Sequence, residues 1–195
     1  MYLYVKRVID LILSGLGMLL LSPVFILLGI IVKATSAGPV FFRQQRIGVG
    51  KKPFTMLKFR TMRTDAPSDT PTHLLKDPFS YITGIGRFLR KTSLDELPQL
   101  WNIFRGDMSI VGPRPALWNQ DDLIAERDRY GANSIRPGLT GLAQVMGRDE
   151  LPIKQKAAYD GEYCQHMGMA GDCAIIWRTI VSVISGKGVS EGGPK

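Results

Sequence analysis

Leu11-Ile12-Leu13-Ser14-Gly15-Leu16-Gly17-Met18-Leu19-Leu20-Leu21-Ser22-Pro23-Val24-Phe25-Ile26-Leu27-Leu28-Gly29-Ile30-Ile31-Val32 carries no charged side chain. As a straight helix this run would be about 33 Å long, against a hydrocarbon core of about 30 Å. Length therefore permits a membrane span. Ser22-Pro23 sits near its middle, where proline removes an intrahelical hydrogen bond and bends the chain. Both flanks are basic, with Lys6 and Arg7 before the run and Lys33, Arg43, Arg46, Lys51 and Lys52 after it. Basic flanks favour the cytoplasmic side of a membrane. A helix that enters, bends at Ser22-Pro23 and returns satisfies both facts. There the Ser22 hydroxyl is expected to bond a backbone group freed by the bend. A kinked span is the competing reading. A cleavable leader ending near Ala34-Thr35-Ser36-Ala37 is a third, opposed by the length of the run, its proline and the adjacent Lys33.

Working outward, 195 residues allow one buried core beside the apolar run. The expected division is residues 1–36 as a re-entrant anchoring helix and 37–195 as one integrated domain. The expected fold class is α+β, predominantly helical with a small β-hairpin or sheet. Pro39 to Arg43 and Phe54 to Phe59 are rich in strand formers around Gly48-Val49-Gly50-Lys51-Lys52, which gives the hairpin. Asp65 to Pro78 reads as a mobile polar loop. Ile85–Leu89, Leu94–Phe104, Ala116–Tyr130 and Ile153–Cys164 read as helices, and Pro137-Gly138 with Thr140-Gly141 as a turn. Along Asp172–Ser185, the residues Ile175, Ile176, Trp177, Ile180, Val181 and Ile184 share a face. Core burial is the expectation for that face, and a membrane interface the alternative.

Net charge is +8, which suits nucleic acid, a phosphorylated substrate or an acidic lipid surface, and equally suits plain solubility. Cys164 and Cys173 form no metal-type pair and no disulfide framework. His73 and His166 are far apart in sequence, so zinc is not expected.

Chemistry concentrates at Ser93-Leu94-Asp95-Glu96-Leu97-Pro98-Gln99-Leu100-Trp101-Asn102. Ser93 and Glu96 have capping-box spacing, and acids suit a first helical turn. That structural reading accounts for the pair without any function. The same position keeps a carboxylate ionised for nucleophilic attack, draws a phosphate, and offers oxygens to Mg²⁺. Cations surround it in sequence: Lys58 and Arg60, then Arg87, Arg90 and Lys91, Arg114 between Pro113 and Pro115, and Arg136 before Pro137. Guanidinium forks match phosphate oxygens. Gly84-Ile85-Gly86 is no dinucleotide fingerprint, and no P-loop is present.

Taken in order, several motifs resemble the bacterial sugar transferase family, the small monotopic phosphoglycosyl transferases. They are Lys6-Arg7-Val8-Ile9-Asp10, Ser22-Pro23, Gly38 to Phe42, Lys58-Phe59-Arg60-Thr61-Met62, Ser93 to Asn102, Gly106 to Pro115, Arg136 to Gly141 and Ala143-Gln144-Val145. The resemblance implies transfer of a sugar-1-phosphate from a UDP-sugar to polyprenyl phosphate, usually undecaprenyl phosphate, with UMP leaving. It implies Mg²⁺, and Asp95 as a nucleophile that forms a covalent phosphosugar aspartate. Glu96 manages metal or protons, and Asp95 and Glu96 are the metal candidates. Substrate or phosphate contacts implied by position are Lys58, Arg60, Arg87, Arg114, Arg136, Gly138, Gln144, Asp160 and Tyr163. The implied location is the cytoplasmic face of a bacterial inner membrane, in a minimal catalytic form without a large upstream membrane domain. An interfacial helix would be the contact for a homodimer. Leu142 and Met146 depart from the family's usual Trp and Asn. A silent lipid- or nucleotide-binding scaffold is the second class of reading. A nucleic-acid binder is the third, and it lacks a recognition helix or interleaved aromatic and basic residues.

Overall fold

The computed structural model describes residues 1–67, 77–147 and 151–185. Two helices open the chain, α1 (Tyr2–Leu20) and α2 (Ser22–Thr35). They are bent by 62° at Leu21. Pro23 lies in the first turn of α2, where a missing N–H is no loss. The Ser22 hydroxyl donates to the Leu19 carbonyl at 2.8 Å, the expected bond to a freed backbone group. Among the described residues no single helix is long and apolar enough to cross a membrane, whereas the bent pair together is.

Both ends of this pair are fastened to the same body. On α1, Lys6 pairs with Asp172, Asp10 Oδ1 accepts from the Ile110 amide at 3.0 Å, and Arg7 donates to Ile103 O at 2.6 Å. On α2, Leu28 and Val32 pack with Phe59 and Leu89. Beyond α2, Arg60 donates to Ser36 O at 2.7 Å and Ser36 Oγ at 2.6 Å. The elbow between them is bare: Leu19, Leu20 and Ile26 are 70%, 74% and 65% exposed.

The hairpin forms as expected from β1 (Phe41–Ile47) and β2 (Pro53–Phe59), antiparallel with Gln44 opposite Met56. Three helices follow: α3 (Pro78–Tyr81), α4 (Gly84–Lys91) and α5 (Gln99–Arg105). Then come β3 (Ser109–Val111), α6 (Asp121–Asp128), β4 (Gly138–Thr140), α7 (Leu142–Met146), α8 (Ile153–Gln165) and α9 (Met169–Ser185). The α+β class with helical predominance stands. Most of the expected mobile loop, residues 68–76, lies outside the described residues.

Several local expectations are corrected. The Pro137–Gly141 turn is instead strand β4, parallel to β3 with Ser109 opposite Gly138. Its glycines serve close approach rather than reversal: a Cβ on Gly138 would lie 2.1 Å from the Gly112 amide nitrogen. The helix expected from Ala116 shrinks to α6. Ala116 accepts from the Ile47 amide at 2.9 Å, and Leu117 bridges Arg46, so that stretch extends the hairpin. Leu94–Phe104 splits into a 3₁₀ turn, Leu94–Glu96, and α5. On α9 Ile175 is buried in the core and Ile176 packs against it, while Trp177, Ile180 and Val181 are 67%, 45% and 47% exposed.

Candidate active site

Strand alternation on β2 buries Phe59 and turns its neighbour Lys58 the other way. Asn102 of α5 holds this strand. Its Oδ1 accepts from the Leu57 amide at 3.0 Å, and its Nδ2 donates to Thr55 O at 2.8 Å. Fully buried side-chain amides must be satisfied, and Asn102 meets that need by clamping the strand that carries Lys58. No spacing rule announces this contact in the sequence.

The acidic pair sits on the 3₁₀ turn between α4 and α5. Ser93, just before it, is left-handed at φ 57° and makes no side-chain cap bond. The capping box is therefore not formed. Left-handed backbone at a serine stores about 1–2 kcal/mol, and here it opens the turn that carries Asp95 and Glu96. Glu96 turns away from the helix start: its Oε1 accepts from Lys58 Nζ at 2.6 Å and from Arg114 Nη2 at 3.4 Å. Pro113 and Pro115, both buried, fix the backbone around Arg114.

Asp95 is treated differently. It is 8% exposed and makes no hydrogen bond or ion pair among the described residues. Burial pushes its carboxyl up, the Lys58 charge pulls it down, Glu96 pushes it up, and Arg90 and Arg114 pull it down; it ends at about 6. Burial also pushes Glu96 up, but the charges and hydrogen bonds of Lys58 and Arg114 overcome this and hold it well below the usual carboxylate range. Two carboxylates in one site thus divide the work, one locked as an anion and one poised between states.

The other expected contacts lie in different surroundings. Arg87 is exposed on α4. Arg60 is buried as the clip on Ser36. Gly138 is in β4, Gln144 donates to Leu139 O at 2.9 Å, and Arg136 donates to Gly106 O at 3.0 Å. Asp160 is buried against Arg127, with Oδ2 2.6 Å from Nη2. Tyr163 donates to Asp172 Oδ1 at 2.8 Å. The geometry therefore gathers Lys58, Asp95, Glu96, Arg90 and Arg114, leaves Arg87 exposed, and gives Arg60, Arg136, Gln144, Asp160 and Tyr163 structural partners.

Among the described residues no group of three or more His, Cys, Asp or Glu side chains could cage a metal. Mg²⁺ does not need one, since one or two carboxylates with substrate phosphates suffice. The unpartnered Asp95, and Glu96 engaged through Oε1 alone, offer that donor set.

A desolvated carboxylate beside an anion-locked partner, with Lys58, Arg90 and Arg114 around it, is an arrangement that can receive an anionic ligand. The chain belongs to the bacterial sugar transferase family, whose model matches residues 1–186, and is a transferase. It is 42% identical over 190 residues to the UDP-glucose:undecaprenyl-phosphate glucose-1-phosphate transferase of Caulobacter vibrioides, covering 92% of this chain and 70% of that one. It is 36% identical over 197 residues to the exopolysaccharide production protein ExoY of Sinorhizobium fredii, covering 94% and 87%. Against the UDP-galactose-lipid carrier transferase of Erwinia amylovora it is 36% identical over 206 residues, covering 95% of this chain and 41% of the relative.

Proposed function

We propose that this enzyme transfers a sugar-1-phosphate from a UDP-sugar to polyprenyl phosphate at a membrane surface, releasing UMP. The observation that carries the reading is Asp95, a buried carboxylate without a partner next to one that has two. An unpaired buried charge is costly, so it persists where it has work to do.

In the first half-reaction an Asp95 oxygen attacks the sugar-bearing phosphorus of the donor. The phosphoanhydride bond breaks, and its electron pair leaves on the phosphate oxygen of UMP. The result is an acyl phosphate between Asp95 and the sugar phosphate. A polyprenyl phosphate oxygen then attacks the same phosphorus, and the Asp95–phosphorus bond breaks to restore the carboxylate. Attack by an anion on an anion needs screening. Lys58 and Arg114 supply fixed positive charge, and Glu96 keeps both in place. Mg²⁺, held by Asp95 and Glu96, would neutralise charge on the phosphates.

The anchor reading follows from α1 and α2. Their 62° bend, bare apolar elbow and common attachment to one body fit a hairpin that dips into one leaflet and returns. The basic flanks favour the cytoplasmic side of a bacterial inner membrane for that leaflet. Protein in nanodiscs, given Mg²⁺, polyprenyl phosphate and a panel of UDP-sugars, tests the reaction. UMP from one donor is expected; UDP would mean ordinary glycosyl transfer and would overturn the role of Asp95.

A further inference from the structure

A second basic site lies where α1 meets β3. A small open cleft there is lined by Lys6, Arg7 and Asp10 of α1, Ser109 and Val111 of β3, and Arg136, with Leu3 and Met167 among its apolar walls. It opens beside Ser109 and Val111 of β3, the strand that leads into the Gly112-Pro113-Arg114 turn. Ser109 is 1% exposed, and its hydroxyl has no hydrogen-bond partner. A buried hydroxyl left unpaired costs about 1–3 kcal/mol.

Both arginines here turn to the end of α5. Arg7 donates to Ile103 O and Phe104 O, and the Nε of Arg136 donates to Gly106 O, so both cap the end of α5. Burial, then the Arg136 charge, lower the Arg7 guanidinium, and only Asp10 opposes them. Capping employs one of the three Arg136 nitrogens; its two terminal nitrogens make no hydrogen bond among the described residues. Asp10 is already engaged by the Ile110 amide, and Lys6 by Asp172. Two arginines, a lysine already paired with Asp172, an occupied Asp10 and an unpaired hydroxyl leave a net positive receptor for an oxyanion.

We propose that this cleft binds a phosphate group, with the Ser109 hydroxyl and the free Arg136 nitrogens as its donors. A free phosphate ion and the phosphodiester of an anionic lipid headgroup share that chemistry. The cleft stands at the foot of the apolar helix, so a bound phosphate would brace α1 against β3.

The full chain in phosphatidylcholine nanodiscs provides the test, with thermal midpoint as readout. One arm titrates inorganic phosphate, and the other adds phosphatidylglycerol to the bilayer. Arg114→Gln is the common background, so that phosphate at the acidic pair does not count. A rise in the phosphate arm alone identifies the free ion, and a rise in the lipid arm identifies the headgroup. Arg136→Gln is expected to weaken the effect about tenfold, while Arg43→Gln, an exposed charge control, leaves it intact. Ser109→Ala is expected to raise the ligand-free midpoint and to shrink the phosphate or lipid shift. The proposal is overturned if neither additive moves the midpoint. It is equally overturned if Ser109→Ala and Arg136→Gln keep the full shift, since the hydroxyl would then serve only a water.

Discussion

Replacing Asp95 with Asn should destroy activity and make the protein more stable. Asp95 rises from 3.8 to about 6, chiefly through burial. At about 1.4 kcal/mol per unit, the folded state gives up about 3 kcal/mol to keep this carboxylate ionised. Asparagine is neutral but must still desolvate its amide, so a net gain of about 2 kcal/mol is expected. For a chain of this size that is about 4–8 °C in thermal midpoint. Because the folded pKa is raised, the native state binds the proton more tightly than the unfolded one. The ionisation penalty is therefore complete above about pH 6 and absent below about pH 4. Midpoints of wild type and Asp95→Asn, measured in the same nanodiscs at both ends of that window, test this. The variant should lead at the alkaline end and match wild type at the acid end, with no transfer at either. A variant equal to or less stable than wild type at the alkaline end would refute the claim that Asp95 is an unpaired, desolvated charge.

Other expectations follow from the same contacts. Lys58→Met removes the strongest positive influence on Asp95; the acid limb of kcat/KM, which reports the free enzyme, should move to higher pH by about one unit or more. Gly38→Ala should destabilise the chain by about 2 kcal/mol or more, because Gly38 has φ +120° and a Cβ there would meet Arg60 Nη1 at 2.0 Å; denaturation in nanodiscs measures it. Asn102→Ala should loosen β2 and lower kcat, with the loss in thermal midpoint expected from about 1–3 kcal/mol of unpaired backbone. Single cysteines placed at Tyr4 and Ala37 should label from the same side of the membrane; opposite-side labelling would rule out the re-entrant hairpin.

Local chemistry was the legible part of this chain. Strand formers around a glycine turn gave β1 and β2, and Ser22-Pro23 marked the bend because proline's missing N–H acts within one turn. The acidic pair and Arg114 were also visible, as charge next to rigid backbone. What stayed hidden depends on distant partners. Gly138 and Gly141 look like turn residues, and only their approach to Gly112 shows why side chains are absent. Arg60 and Arg114 are equally basic in sequence, yet one closes onto Ser36 and the other onto Glu96. Trp177, Ile180 and Val181 carry the periodicity of a core face, but among the described residues no element covers them; periodicity reports a shared face and not what that face meets.

The central claim is that Asp95 carries the sugar phosphate between donor and acceptor. Its most direct test is intact and peptide mass analysis of the nanodisc-held protein after incubation with Mg²⁺ and the active UDP-sugar, with polyprenyl phosphate withheld. The account requires a mass gain of one sugar phosphate on the peptide bearing Asp95, with matching UMP release, discharged when polyprenyl phosphate is added. Absence of both adduct and UMP until the acceptor arrives, or an adduct on another residue, would contradict it.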